Sequence, residues 1–66
     1  MQITLNSNAL EIEGTINISN LLMCKGYKDK LVAVAVNGEF MPRENYDGYI
    51  LQDKDSVEIV APMQGG

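Results

Sequence analysis

The sequence predicts an α+β domain, a mixed sheet of four to five strands packed on one short helix. Three observations predict it. Two alternating apolar and polar runs open the chain, a short segment with apolar residues at helical spacing follows them, and a β-branched run leads through Asn37-Gly38 towards a last alternating strand. The 66 residues include 9 Asp+Glu, 5 Lys+Arg and no His, a net charge of −4, which bounds the molecule to one small acidic domain. Leu, Ile, Val and Phe number 18 of the 66 residues, above the roughly 20 per cent below which a charged chain stays disordered. A domain of this size buries only about 60 per cent of its unfolded surface, which leaves a thin core and no room for a deep substrate pocket. Catalysis within this chain alone is not expected.

Ile3 and Leu5 alternate with Gln2, Thr4 and Asn6, and after a polar turn at Ser7-Asn8 the alternation resumes at Leu10 and Ile12. This is a hairpin, ended by Gly14. Asn17 precedes Ile18, Leu21 and Leu22, the i, i+3, i+4 spacing of a helix, and is placed to cap it, with Gly26 as its stop. A helix of two to three turns is unstable alone, so it must lay those side chains on a sheet. Leu31 to Val36 reads as a central strand, with Val32, Val34 and Val36 facing the helix and Leu31, Ala33 and Ala35 on the other face. Asn37-Gly38 tolerates the positive φ angles of a tight hairpin, and Glu39 to Met41 forms a short return strand stopped by Pro42. Arg43 to Gly48 reads as irregular, Tyr49-Ile50-Leu51 as an apolar anchor, and Gln52 to Asp55 as a turn. Ser56 to Val60 is the last strand, with Val57 and Ile59 inward. The two terminal strands are apolar enough to lie at the centre, and with those two parallel the order is that of the β-grasp (ubiquitin-like) arrangement. Val34, Val36, Val57 and Ile59 should then share one core with Leu21 and Leu22. The domain is expected over 1–61, with 62–66 a flexible Gly-Gly tail.

The acidic balance argues against nucleic acid or an anionic membrane as partner, since both require a basic footprint. Lys25, Lys28 and Lys30 form a loose basic stretch, read as a solvated helix end facing the negative end of the helix dipole. The start MQITLNSN lacks a leader pattern, and no apolar run reaches the roughly 18 residues of a membrane span, so a cytoplasmic location is expected. Cys24, with no His and no second Cys, cannot build a zinc site, and helical spacing makes it a small packing residue. No catalytic or metal-binding constellation is present, and no bound cofactor is expected.

The remaining chemical candidate is the chain end, Gly65-Gly66. A carboxylate acylates only after conversion to a mixed anhydride, typically with AMP from ATP, and attack on the activated carbonyl is least hindered without a Cβ. Pro62 to Gly66, fully extended, spans about 17 Å, enough to carry the Gly66 carboxylate into another protein's active site. Gly65 then serves access and Gly66 is the reacting residue.

The run Val32-Ala33-Val34-Ala35-Val36-Asn37-Gly38-Glu39-Phe40-Met41-Pro42-Arg43, the aromatic Tyr46, the run Leu51 to Val60 and the Gly65-Gly66 end resemble the ThiS family of sulfur carriers in thiamin biosynthesis. The opening Met1 to Asn6 and Leu21-Leu22 are also similar, so the resemblance spans the chain. Where that family usually has Gly-Asp before the last strand, this chain has Lys54-Asp55. The resemblance implies that the Gly66 carboxylate is adenylated by an E1-like enzyme, ThiF, using ATP, and converted to a thiocarboxylate. The sulfur would pass to the thiazole synthase, ThiG, and the carrier would be a monomer when free. Alternatives are a MoaD-like small subunit of molybdopterin synthase, which uses the same chemistry, and a ubiquitin-like modifier or binding module. A carrier also needs a docking surface separate from its tail. The flattest apolar candidate is the sheet face away from the helix, with Ala33, Ala35, Phe40 and Val60. Arg43 is either a further docking contact or a partner for Asp47 or Glu44.

Overall fold

A computed structural model of the chain describes residues 1–27 and 31–61. Five strands form one mixed sheet: β1 (Gln2–Leu5), β2 (Asn8–Glu11), β3 (Ala33–Val36), β4 (Glu39–Met41) and β5 (Ser56–Val60). Their spatial order is β2-β1-β5-β3-β4. β1 and β5 run parallel, and every other neighbouring pair is antiparallel. The last strand is therefore the centre of the sheet and the first strand lies beside it, as the apolar character of both requires. This is the expected β-grasp order.

Helix α1 (Ile18–Cys24) covers one face and buries Ile18, Leu21 and Leu22. Those three join Ile3, Val34, Val36, Met41, Leu51, Val57 and Ile59 in a single apolar cluster. Such a short helix depends on its ends being satisfied, and here they are. Asn17 Oδ1 accepts from Asn20 N at 2.7 Å, while the Tyr49 and Tyr46 carbonyls accept from Ile18 N at 3.3 Å and Ser19 N at 3.2 Å. At the other end Gly26 N donates to Met23 O at 3.2 Å and Tyr27 N to Leu22 O at 2.8 Å. With Gly26 at φ +87°, this pair of bonds is the Schellman termination that glycine makes possible.

Five expectations need correction. The first hairpin turns at Asn6-Ser7, both with positive φ (49° and 73°), and Asn8 already belongs to β2. β3 begins at Ala33, not Leu31, because Ala33 pairs with Val60 at the end of β5 and no further ladder remains for the residues before it. Leu31 is 70% exposed. The stretch after Pro42 is not wholly irregular: Arg43–Asn45 is a turn of 3-10 helix, and the residues after it wrap the start of α1. Of the apolar anchor, Leu51 is buried at 1% exposure, but Ile50 is exposed. Cys24 is exposed. It stands about 110° round the helix from the centre of the stripe made by Ile18, Leu21 and Leu22, too far to reach the core. Of the basic stretch, Lys25 caps α1, while Lys28 and Lys30 lie outside the described residues.

Candidate functional site

Gly65 and Gly66 lie outside the described residues, as does the whole expected tail from Pro62. What the structure shows is the strand that leads to them and how it is held. β5 pairs on one side with β1 and on the other with β3 along its length, ending at Val60 opposite Ala33. Two turn asparagines extend that grip. Asn6, at the β1-β2 turn, donates its backbone N–H to Val57 O at 2.9 Å and accepts from Ile59 N through Oδ1 at 2.8 Å. Asn37, at the β3-β4 turn, accepts from Ser56 N through Oδ1 at 2.9 Å and donates through Nδ2 to Asp55 Oδ1 at 3.0 Å.

Asp55 is the buried polar residue among the described residues, 8% exposed. Its other carboxylate oxygen accepts from Gln52 N at 2.8 Å, and its carbonyl accepts from Thr4 N at 2.9 Å. Burial of a carboxylate is tolerated here because both oxygens have donors. The result is a central strand fixed at both ends, the mechanical requirement for presenting a chain end at a defined place. Sequence reasoning missed these three side chains. Asn37 had been noted as a turn former only, and the signal for the rest was a turn asparagine on each hairpin facing the strand that both hairpins flank.

Of the expected docking residues, Ala33, Ala35, Phe40 and Val60 come together. Alternation along β5 puts Glu58 and Val60 on the face away from α1, and pairing sets Val60 beside Ala33, Glu58 beside Ala35 and Ala35 beside Phe40. Phe40 is 70% and Val60 60% exposed. Together with Ala33, Ala35, Gly38 and Glu58 they border a shallow open groove of about 240 Å³. It lies against the end of β5, where the chain leaves the sheet. Glu58 is a groove residue that sequence reasoning did not single out, although the inward setting of Val57 and Ile59 already fixed its face.

Arg43 does not border this groove. It is exposed on the 3-10 turn, and neither expected partner binds it: among the described residues the one ion pair joins the Met1 amino group to Glu11 at 3.6 Å. Asp47 instead accepts from the Ser19 hydroxyl, and its carbonyl accepts from Asn17 Nδ2 at 3.1 Å. Burial pushes the Tyr46 hydroxyl above its ordinary pKa, with the nearby Arg43 guanidinium acting in the opposite direction. Among the described residues no group of three His, Cys, Asp or Glu could hold a metal, and no helix is long and apolar enough to cross a membrane.

The model of the ThiS family matches residues 3–66. The chain belongs to the ThiS family. It is similar over its whole length to the whole of the sulfur carrier protein ThiS of Escherichia coli, at 29% identity. A thiazole synthase of Magnetococcus marinus contains a segment 33% identical over all 66 residues, so that this chain spans 20% of that longer protein. Among solved structures, the crystal structure of the thiamine biosynthesis protein ThiS of Geobacter metallireducens superposes with a TM-score of 0.84 at 32% identity, covering both chains completely. The solution structure of a thiamine biosynthesis protein from the same organism gives a TM-score of 0.83, covering all of this chain and 88% of that one.

Proposed function

We propose that this chain is a sulfur carrier of thiamin biosynthesis that holds sulfur as a thiocarboxylate on Gly66. The observation that carries the reading is correspondence from end to end, with the family match running through Gly66 and the E. coli carrier covered completely. The clamped β5 supports it, because a strand held at both ends gives a partner enzyme a rigid body to hold.

The chemistry runs in three steps. The Gly66 carboxylate attacks the α-phosphorus of ATP on a ThiF-like E1 enzyme, releasing pyrophosphate and leaving an acyl adenylate. A sulfur nucleophile adds to that carbonyl and expels AMP, so one carboxylate oxygen is replaced by sulfur. Transfer of the sulfur to the substrate of a ThiG-like thiazole synthase, with an oxygen from that substrate or from water taking its place on the Gly66 carbonyl, regenerates the carboxylate. The carrier's own contribution is access and presentation. Gly65 and Gly66 carry no Cβ to obstruct a narrow channel, and the face formed by Ala33, Ala35, Phe40 and Val60 gives the partner an apolar surface to hold while the tail enters the active site. The M. marinus synthase, which contains a carrier-like segment, supports thiazole synthase as the recipient. The reading places the protein in the cytoplasm, as a carrier acted on by other enzymes.

Deletion of Gly66 tests the assignment. It is expected to leave the fold intact and abolish ATP–pyrophosphate exchange with the ThiF-like enzyme, because Gly65 then ends the chain about 3.5 Å short of the nucleotide. Exchange at the wild-type rate by the shortened chain would contradict it.

A further inference from the structure

The outer groove contains a feature that an apolar docking face does not require. Phe40, Ala35 and Glu58 stand in one row across β4, β3 and β5, each directly opposite the next. Neighbouring strands lie about 4.8 Å apart, so the aromatic and the carboxylate flank the small Ala35 at a separation of about 10 Å between their backbones. All three border the same groove, which Ala33, Val34, Gly38 and Val60 complete without contributing a charge. Glu58 is exposed and has no ion-pair partner among the described residues.

We propose that this row is a slot for a guanidinium group, the side chain of an arginine on the adenylating partner. The proposal rests on the docking reading above and names the chemistry that the partner must present. A flat cation entering over the Ala35 methyl meets the face of the exposed Phe40 ring on one side and the Glu58 carboxylate on the other. Cation–aromatic attraction extends to about 6 Å from the ring centroid, within reach from the middle of such a row. Arginine suits the slot better than lysine. Its guanidinium is planar, weakly hydrated and able to stack on a ring while donating two parallel bonds to a carboxylate, whereas an ammonium is a compact and strongly hydrated point charge. The small side chain at position 35 is then a specificity element, since a larger one would fill the space between the two walls. The net charge of −4 favours the same cationic partner at longer range.

The experiment is ATP–pyrophosphate exchange with the purified ThiF-like enzyme, measuring KM for the carrier at low and high salt, with a thermal melt of every variant as a folding control. Glu58→Gln is expected to raise KM about tenfold and flatten its salt dependence, with kcat unchanged, because the pair is desolvated in the complex. Ala35→Leu is expected to raise KM comparably while the salt dependence stays. Replacing the partner's arginines one at a time by lysine should find one position whose effect is not additive with Glu58→Gln. If Glu58→Gln leaves both KM and salt dependence as in the wild type while Phe40→Ala raises KM, the slot is wrong and the docking face stands. If Phe40→Ala and Val60→Asp also leave KM unchanged, the docking reading itself fails, and the slot with it.

Discussion

The two faces of the sheet are built from alternate residues of the same strands, yet they are finished differently. On β5, Val57 and Ile59 are 0% and 6% exposed beneath α1, while Val60, one residue further on, is 60% exposed. On β3, Val34 and Val36 enter the core while Ala33 and Ala35 line the open groove. The inner face has large apolar side chains and a helix to cover them. The outer face has small ones, flanked by an uncovered Phe40 and Val60. Unlike Leu31 and Ile50, which are also exposed, Phe40 and Val60 border one groove. The difference teaches that the residues that stabilise the domain and those proposed to meet a partner are separated by a single step along each strand, so substitutions on the two faces should have different readouts.

The largest effect is expected on the inner face. Leu21→Ala removes a side chain only 1% exposed and should cost about 2 to 5 kcal/mol, against a total of about 3 to 10 kcal/mol for a chain of this length. Urea denaturation would show the midpoint collapsing or the variant unfolded in buffer. A loss below about 0.5 kcal/mol, the range of an ordinary surface change, would mean that the inner face is not the stabilising one.

The clamp on β5 comes next. Asn37→Gly keeps the backbone at a position with φ +53° but removes the side-chain bonds to Ser56 N and Asp55 Oδ1. It leaves part of a buried carboxylate without a donor, at an expected cost of about 1 to 3 kcal/mol. Hydrogen exchange should show the Ser56 amide losing protection first. Unchanged exchange at Ser56 would remove the clamp from the account.

A smaller change of opposite sign is expected at Lys54, which stands at φ +75°, a left-handed conformation that glycine adopts without strain. Lys54→Gly relieves about 1 to 2 kcal/mol of backbone strain and gives back about 0.4 to 1 kcal/mol through the more flexible unfolded chain. The net gain of about 0.5 to 1 kcal/mol corresponds to a rise of a few degrees in Tm. A lower Tm would show that the Lys54 side chain contributes something that its backbone geometry conceals. The smallest effect on stability belongs to the outer face: Val60→Asp should change stability by no more than about 0.5 kcal/mol. It should nevertheless raise KM for adenylation, and an unchanged KM would leave the outer face without a role.

Local rules made much of this legible. The alternation at Val57 and Ile59 assigned their face, the Asn17 cap and Gly26 stop bounded α1, and Asn37-Gly38 marked its hairpin with the positive φ angles found there (53° and 84°). The apolar character of both ends pointed to central positions for β1 and β5, but their parallel pairing had no signal in the sequence pattern. What escaped was long-range or atypical. Asn6 and Ser7 take left-handed conformations without a glycine between them, so the polar run Asn6-Ser7-Asn8 announced a turn but not which two of its residues make it. The bonds from Asn6 and Asn37 to β5 span many residues of sequence, and which side-chain amides meet which strand depends on the assembled sheet. Cys24 was misplaced by treating helical spacing as a yes-or-no property when the angle round the helix decides burial. In the groove, Ala33, Ala35, Phe40 and Val60 were foreseeable from alternation, but Glu58 gains its meaning only from standing in register with Ala35 and Phe40.

The central claim is that sulfur travels on the terminal carboxylate and not on a side chain. Exposure of Cys24 sharpens the contrast, since an accessible thiol could hold sulfur as a persulfide. Intact-mass spectrometry decides between them after incubation with the ThiF-like enzyme, ATP and a sulfur source, followed by peptide mapping of the wild type, Cys24→Ala and the chain lacking Gly66. Exchange of oxygen for sulfur adds about 16 Da, and the account places it on the C-terminal peptide of both the wild type and Cys24→Ala, with none on the shortened chain. A gain of about 32 Da on the peptide containing Cys24, persisting after removal of Gly66, would contradict it.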